Sequence, residues 1–173
     1  MKHTALVLID LQNDYFSSGK FPLWNVEQTL ESCLSAIEKA NNNAMPIILV
    51  KHVVHSDSGG APFFNEGTEG VNIPPDILSH APDALVVVKE FADSFEQTNL
   101  DTLLQQSDIK TIIIGGMMTQ NCVTHTAISK TAEKYNVKLL TDCCTTVDEM
   151  IHNLALRALS TRIDLIQVDS AWV

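Results

Sequence analysis

The sequence predicts an α/β protein of three layers (α/β/α), in which helices cover both faces of a mainly parallel, six-stranded, Rossmann-like sheet. Two observations support this prediction. Short apolar runs alternate along the chain with longer segments whose apolar residues recur every three or four positions, and this alternation is typical of parallel sheets with helical crossovers. The length of 173 residues, 45% of them hydrophobic, fits one domain over residues 1–173.

The first part of the chain predicts a strand, a helix and a second strand. Thr4–Ile9 is short, apolar and uninterrupted, as expected of a strand that is buried on both faces. Asn25–Asn43 predicts an amphipathic helix, and Asn25 with Gln28 has the spacing of a capping box. Ile47–Val50 predicts the second buried strand.

A long segment from His55 to Pro82 interrupts the alternation. It contains four glycines and four prolines, which predict irregular structure. Long loops in compact domains are often binding loops or lids. We favour such a role over a simple surface excursion, because the segment also carries Phe63 and Phe64.

The remaining sequence returns to the alternating pattern and completes the six predicted strands. In chain order it predicts a strand at Leu85–Val88, a helix at Thr98–Gln106, a strand at Thr111–Ile114, a helix at Thr119–Tyr135, a strand at Val137–Leu140, a helix at Val147–Ser160 and a strand at Ile163–Val168.

The charge balance and the cysteines restrict the function. With 11 Lys and Arg against 21 Asp and Glu, the formal net charge is −10, which excludes electrostatic binding to nucleic acid or to an anionic membrane as the main role. No apolar run reaches the length of a membrane span, and the N-terminus has no signal-peptide pattern. The four cysteines have no metal-finger spacing. We therefore expect a cytoplasmic protein with reduced thiols and a small-molecule substrate.

Three chemically useful side chains follow three of the predicted strands. Asp10 comes after the first strand, Lys89 after the third, and Cys122 early in the helix after the fourth. Ligands of open α/β sheets bind at the carboxyl ends of the strands, so these side chains are expected at one edge. A helix N-terminus and a nearby ammonium are expected to lower the pKa of the Cys122 thiol, and Asp10 can accept its proton.

Each of these residues also has a purely structural interpretation. An aspartate after a strand often caps a turn, a lysine there is often solvated, and a cysteine on a helix is often a small core residue. Sequence alone does not show that the three side chains meet.

Three segments resemble the isochorismatase-like cysteine hydrolases, which include nicotinamidases and N-carbamoylsarcosine amidases. They are Ala5–Phe16 around Asp10, Val88–Phe95 around Lys89, and Gly115–Val123 around Cys122. The three occur in the family's order, and the resemblance covers nearly the whole chain.

This resemblance implies an isochorismatase-like fold and a mechanism. Cys122 is the implied nucleophile, Asp10 the base and Lys89 the third member of the triad. A cis peptide is implied at Met117–Met118, with the amides of Met118 and Cys122 as the oxyanion hole. The implied reaction is hydrolysis of a small amide through a thioester, without a cofactor, in a homo-oligomer.

The region after the second strand departs from the metal-dependent members of the family. It has His52 and His55 but no convincing Asp-x-His. Because an extended backbone directs His52 and His55 to opposite faces, we expect no metal site. This departure also leaves nicotinamide in doubt as the substrate.

Five residues are predicted to line the substrate pocket: Tyr15, Phe16, Trp24, Phe64 and His125. Core packing is the alternative for Phe16 and Trp24. A Cys122–His125 dyad is a competing mechanism, since the two residues lie three positions apart on one helix. A non-catalytic or thiol-redox binding protein on the same fold is the alternative function.

Overall fold

Six parallel strands form the sheet of the computed structural model, which describes residues 2–55, 57 and 59–172. The strands are β1 (Thr4–Ile9), β2 (Ile47–His52), β3 (Leu85–Lys89), β4 (Thr111–Met117), β5 (Asn136–Thr145) and β6 (Asp164–Ile166). Their order across the sheet is β3-β2-β1-β4-β5-β6, and every neighbouring pair is parallel. The predicted α/β class with a six-stranded, mainly parallel sheet is confirmed.

Helices pack on both faces of this sheet. They are α1 (Val26–Asn42), α2 (Pro75–His80), α3 (Leu100–Gln106), α4 (Thr124–Ala127) and α5 (Glu149–Leu159). Alternate residues of β1 belong to two separate apolar clusters, since Leu6 and Leu8 pack with α1 while Val7 and Ile9 pack with α3. Among the described residues, no helix is both long enough and apolar enough to span a bilayer.

The strand order places the carboxyl end of β1 at the centre of the sheet. β1 is hydrogen-bonded to β2 on one side and to β4 on the other. Because consecutive strands lie on opposite sides of β1, a crevice forms beyond its carboxyl end, where the connections diverge. The chain immediately after β1 and β4 therefore borders this crevice.

The helix predicted over Thr119–Tyr135 is wrong in extent. A π-helical turn spans Thr119–Val123, α4 ends at Ala127, and a short 3-10 turn spans Ala132–Lys134. Hydroxyl groups of this segment compete for the backbone, since Thr124 Oγ1 donates to the Thr119 carbonyl and Ser129 Oγ accepts from the Thr131 amide. Such bonds offer the chain an alternative to a continuous helix.

Two other local predictions also need correction. The capping box at Asn25 does not form, because Asn25 has a left-handed backbone (φ 51°) and its side chain makes no capping hydrogen bond. The segment from His55 to Pro82 is not irregular throughout, since α2 occupies part of it. Pro75 is the first residue of α2, a position where its missing N–H costs nothing.

Candidate active site

Asp10 is held at the end of β1 in an unusual backbone conformation. Its φ is 53°, in the left-handed region that aspartate and asparagine tolerate better than most residues. Its amide donates to the Val50 carbonyl at 2.9 Å, and the residue is completely buried. The backbone therefore turns sharply where β1 ends and holds the carboxylate in the interior.

Lys89 supplies the positive charge that compensates this buried carboxylate. Its Nζ lies 3.0 Å from Asp10 Oδ2, and both side chains are fully shielded from solvent. The same ammonium is 2.9 Å from Nδ1 of His52 and donates to the Phe91 carbonyl at 3.1 Å. A lysine ammonium has three N–H donors, so these three contacts use all of them.

One oxygen of Asp10 remains unpaired. Among the described residues, Oδ1 is a buried polar atom without a hydrogen-bond partner. Ligand-type atoms of Asp10, His52 and Cys122 lie within 4.8 Å of one another. An unpaired buried carboxylate oxygen is costly unless it has a function, and here it has a thiol close by.

Cys122 lies in the π-helical turn that follows β4, and only 3% of its surface is exposed. The turn can pass close to β1 because residue 116 is glycine. Gly116 has a φ of 125°, and a Cβ there would lie 2.1 Å from the Ile9 carbonyl oxygen. The Met117–Met118 peptide that follows is cis, and the Met118 carbonyl accepts from the Val123 amide.

A second set of contacts anchors this turn from the other side. Thr119 Oγ1 donates to the Thr145 carbonyl at 3.0 Å, and it accepts from Nδ1 of His152 at 2.9 Å. Burial lowers the pKa of His152, although Glu149 opposes this effect. The chain that carries Cys122 is therefore fixed through buried hydrogen bonds.

Burial and the Asp10 carboxylate raise the pKa of the Cys122 thiol well above its ordinary value, while Lys89 acts in the opposite direction. The lowered pKa that we expected from the sequence is therefore wrong for this structure. A single ammonium already paired with Asp10 cannot outweigh the loss of water around the thiol. The resting nucleophile is a neutral thiol with a base beside it.

Asp10, His52 and Cys122 offer the donor atoms that zinc prefers, but their surroundings do not suit a cation. The Lys89 ammonium lies 3.0 Å from Asp10 and 2.9 Å from His52. A divalent ion between these side chains would meet a fixed positive charge at contact distance. The donor set therefore fits the metal-free chemistry that we expected.

The predicted pocket residues divide into two groups. Tyr15, Phe16 and Phe64 are buried, and the rings of Tyr15 and Phe64 lie 4.5 Å apart. Burial is the main cause of the raised pKa of Tyr15, and Asp10 and Cys122 add to it. Phe64 also lies 6.1 Å from the His52 ring. The buried aromatic rings thus border the Asp10 centre.

The other two predicted pocket residues are more exposed. Trp24 stacks near His152, with ring centroids 5.8 Å apart. His125 is exposed, and its Nδ1 contacts the Asn121 carbonyl at 2.9 Å. Both ring contacts are to residues other than Cys122, and whether either side chain binds substrate stays a prediction.

Two residues near the centre were missed in the sequence. His52 ends β2 directly beside Lys89 in the sheet register, and Gln12 bonds both backbone groups of His52 at 2.8 Å. The pattern held a usable signal for His52, since it follows a buried apolar run as Lys89 does. Gln12 had no such signal, because its role depends on the packing of β1 against β2.

Comparison with known proteins agrees with this geometry. The isochorismatase domain model matches residues 4–168. YddQ of Bacillus subtilis, an uncharacterised isochorismatase family protein, is 32% identical over 150 residues, which cover 87% of this chain and 82% of YddQ. Nicotinamidase 3 of Arabidopsis thaliana is 28% identical over 169 residues, covering 92% of this chain and 81% of that protein.

Two further relatives complete this comparison. A protein of Arabidopsis thaliana named a probable inactive nicotinamidase is 26% identical over 168 residues, covering 87% of this chain and 85% of its own. The crystal structure of a protein from Oleispira antarctica, named after the isochorismatase hydrolases, superimposes with a TM-score of 0.86 at 32% identity. That match covers 97% of this chain and 95% of the other.

Proposed function

The chain belongs to the isochorismatase family, and on that premise we propose that it is a cysteine hydrolase of a small amide or related C–N bond. Cys122 is the nucleophile, Asp10 the general base and Lys89 the residue that keeps Asp10 ionised. The observation that carries this proposal is the unpaired Oδ1 of Asp10, buried beside Cys122 while Oδ2 is bound to Lys89.

The first half of the reaction forms a thioester. Asp10 Oδ1 takes the proton of the Cys122 thiol as Sγ attacks the substrate carbonyl carbon. The carbonyl oxygen becomes an oxyanion, and the amides of Met118 and Cys122 are proposed to donate to it. The C–N bond then breaks, and the proton on Asp10 passes to the leaving nitrogen, which departs as ammonia or an amine.

The second half of the reaction releases the acid. Asp10, again ionised, takes a proton from a water molecule as the water oxygen attacks the thioester carbon. The resulting tetrahedral intermediate collapses with the C–S bond breaking, and Sγ of Cys122 recovers its proton from Asp10. Lys89 stays protonated throughout, because its three N–H groups are all engaged.

The surroundings of the centre favour a small, uncharged substrate. The charges of Asp10 and Lys89 cancel, and the neighbouring Tyr15 and Phe64 rings are apolar. A charged substrate group would have to leave water without a compensating partner. Two plant relatives carry nicotinamidase names, which makes primary amides of aromatic rings reasonable first probes.

The alternative functions have weaker support. One relative is named inactive, but Asp10, Lys89 and Cys122 are all present in this chain and lie together. A thiol-redox role would need a second thiol in reach of Cys122. The groups that shift the pKa of Cys122 are Asp10 and Lys89, not another cysteine.

A panel of primary amides and N-carbamoyl compounds, with ammonia release as the readout, tests the proposal. We expect Cys122→Ala and Asp10→Asn to abolish turnover of any substrate that the wild type hydrolyses. Cys33→Ala is the matched control, because Cys33 is also a buried thiol but contacts the Cys143 carbonyl instead. Mass spectrometry of rapidly quenched reactions should find the acyl group on Cys122. Turnover that survives Cys122→Ala would refute the proposal.

We also propose the homo-oligomer that the family resemblance implies. Exposed apolar side chains support it, among them Met150 and Leu154 of α5 and Val86 and Val88 of the edge strand β3. Light scattering coupled to size exclusion measures the assembly directly, and a monomeric mass at micromolar concentration would contradict it.

A further inference from the structure

The hydrogen bonds of Lys89 determine the protonation state of His52. Every N–H of the ammonium is a donor, so the atom that it contacts on His52 must be an acceptor. Nδ1 of His52 lies 2.9 Å from Lys89 Nζ. The imidazole is therefore neutral, its proton is on Nε2, and Nδ1 supplies a lone pair. Because the Lys89 side chain is fully buried, water cannot replace this acceptor if it is lost.

The backbone of His52 is fixed by an independent set of contacts. The buried Gln12 side chain donates to the His52 carbonyl and accepts from its amide, each at 2.8 Å, and also donates to the Val71 carbonyl. His52 lies opposite Lys89 in the register of β2 and β3. The ring is thus aimed at the ammonium by the sheet and by Gln12 together.

The charged and titratable groups around His52 come from three elements. Lys89 approaches from β3, Asp10 from the segment after β1, and Cys122 from the turn after β4. On its own strand, Lys51 faces the opposite side of the sheet. Burial and Lys89 lower the pKa of His52, while Asp10 opposes them.

We infer that His52 is a positioning residue of this centre, whose unprotonated Nδ1 holds the Lys89 ammonium against Asp10. The inference rests on the proposed function for its effect on catalysis. Protonation of Nδ1 removes the acceptor and brings two cations within contact distance, so the ammonium must shift away from Asp10. His52 is only half-buried, unlike the other members of the centre, and is therefore the member that bulk pH reaches first.

Two substitutions separate the acceptor from the ring. In His52→Asn, Oδ1 is bonded to Cγ as Nδ1 is in histidine, so it can accept from Lys89 and does not titrate. His52→Leu fills similar space without an acceptor. Because a hydrogen bond to a charged group is lost, we expect kcat of His52→Leu to fall by about 10- to 100-fold. His52→Asn should retain most of kcat. His55→Asn is the matched control, since His55 is exposed and contacts Glu66.

The pH profile distinguishes positioning from simple structural support. The wild type should lose kcat/KM in acid below the ordinary histidine pKa of 6.5. In His52→Asn this acid limb should move to lower pH, because the titrating ring is gone. Equal loss of kcat in His52→Asn and His52→Leu, with the acid limb unchanged, would overturn the inference.

A measurement without substrate keeps this inference separate from the proposed function. Nitrogen NMR of histidine-labelled protein reports the tautomer of each of the six histidines, and His52→Asn assigns the signal. We expect the Nε2–H tautomer for His52, and an Nδ1–H tautomer would overturn the inference. If the wild type hydrolyses no amide but His52 is the Nε2–H tautomer, the proposed function fails while the contact with Lys89 is supported.

Discussion

Replacing Lys89 with methionine tests whether the ammonium compensates Asp10 inside the protein. Methionine is unbranched and similar in length, so the change removes the three N–H donors while filling most of the same space. The Asp10 carboxylate would remain completely buried with neither oxygen paired to a cation. The structure therefore predicts a loss of stability that comes from charge rather than from packing.

The size of this loss follows from the burial of both side chains. Removing one partner of a fully buried ion pair costs about 3–5 kcal/mol, because the other charge is left uncompensated. With a urea dependence of about 2 kcal/mol/M, the midpoint of unfolding should fall by roughly 1.5–2.5 M. A wild-type free energy of unfolding in the ordinary range of about 5–15 kcal/mol leaves the variant folded without urea.

Urea unfolding followed by tryptophan fluorescence measures this change, at one protein concentration because association would shift the midpoint. Asp10→Asn provides the second arm, since asparagine tolerates the left-handed backbone at residue 10. The double variant should be more stable than Lys89→Met, because the unpaired charge is gone. Lys110→Met is the control, because Lys110 and its partner Asp108 are mostly exposed and the midpoint should hardly change. An equal effect of Lys89→Met and Lys110→Met would refute the reasoning.

Three shorter predictions concern the thiol, a close packing contact and the absence of a metal requirement. Because burial and Asp10 raise the pKa of Cys122, its thiolate absorbance near 240 nm should be missing at pH 8 in the free enzyme; a thiolate signal that disappears in Cys122→Ala would contradict this. Gly70→Ala should lower the free energy of unfolding by about 1–3 kcal/mol, because the new Cβ would lie 2.1 Å from Asp14 Oδ1; thermal melts check it, and an unchanged melting temperature would refute it. Hydrolysis should survive EDTA, because a buried ammonium occupies the centre of the donor set; activity lost to EDTA and restored by zinc would contradict this.

The sequence was a good guide to the fold because the strands are apolar on both faces. Each predicted strand overlaps an observed one, since a run such as Thr4–Ile9 has few other ways to bury six apolar side chains. Helix ends were predicted less well. The turn around Cys122 depends on bonds from Thr119 to Thr145, which lies 26 residues away in the chain, and no local pattern encodes them.

The chemistry of the site was only partly visible in the sequence. The positions of Asp10, Lys89 and Cys122 after buried strands predicted that they would share one edge of the sheet. The ionisation of Cys122 was predicted in the wrong direction, because the helix terminus and the ammonium were considered and the loss of water was not. Burial is a property of the folded chain, and composition does not reveal it.

The sequence by itself determined the class of sheet and the three side chains at its carboxyl edge, because alternation and strand ends are local patterns. Only the tertiary structure decided what surrounds these side chains. His52 contacts Lys89 across 37 residues of sequence, and Gln12 reaches His52 across 40. The single unpaired oxygen of Asp10 also depends on how Lys89 approaches from β3. These arrangements arise when distant segments pack together, since hydrogen-bond partners and access to water are fixed only then.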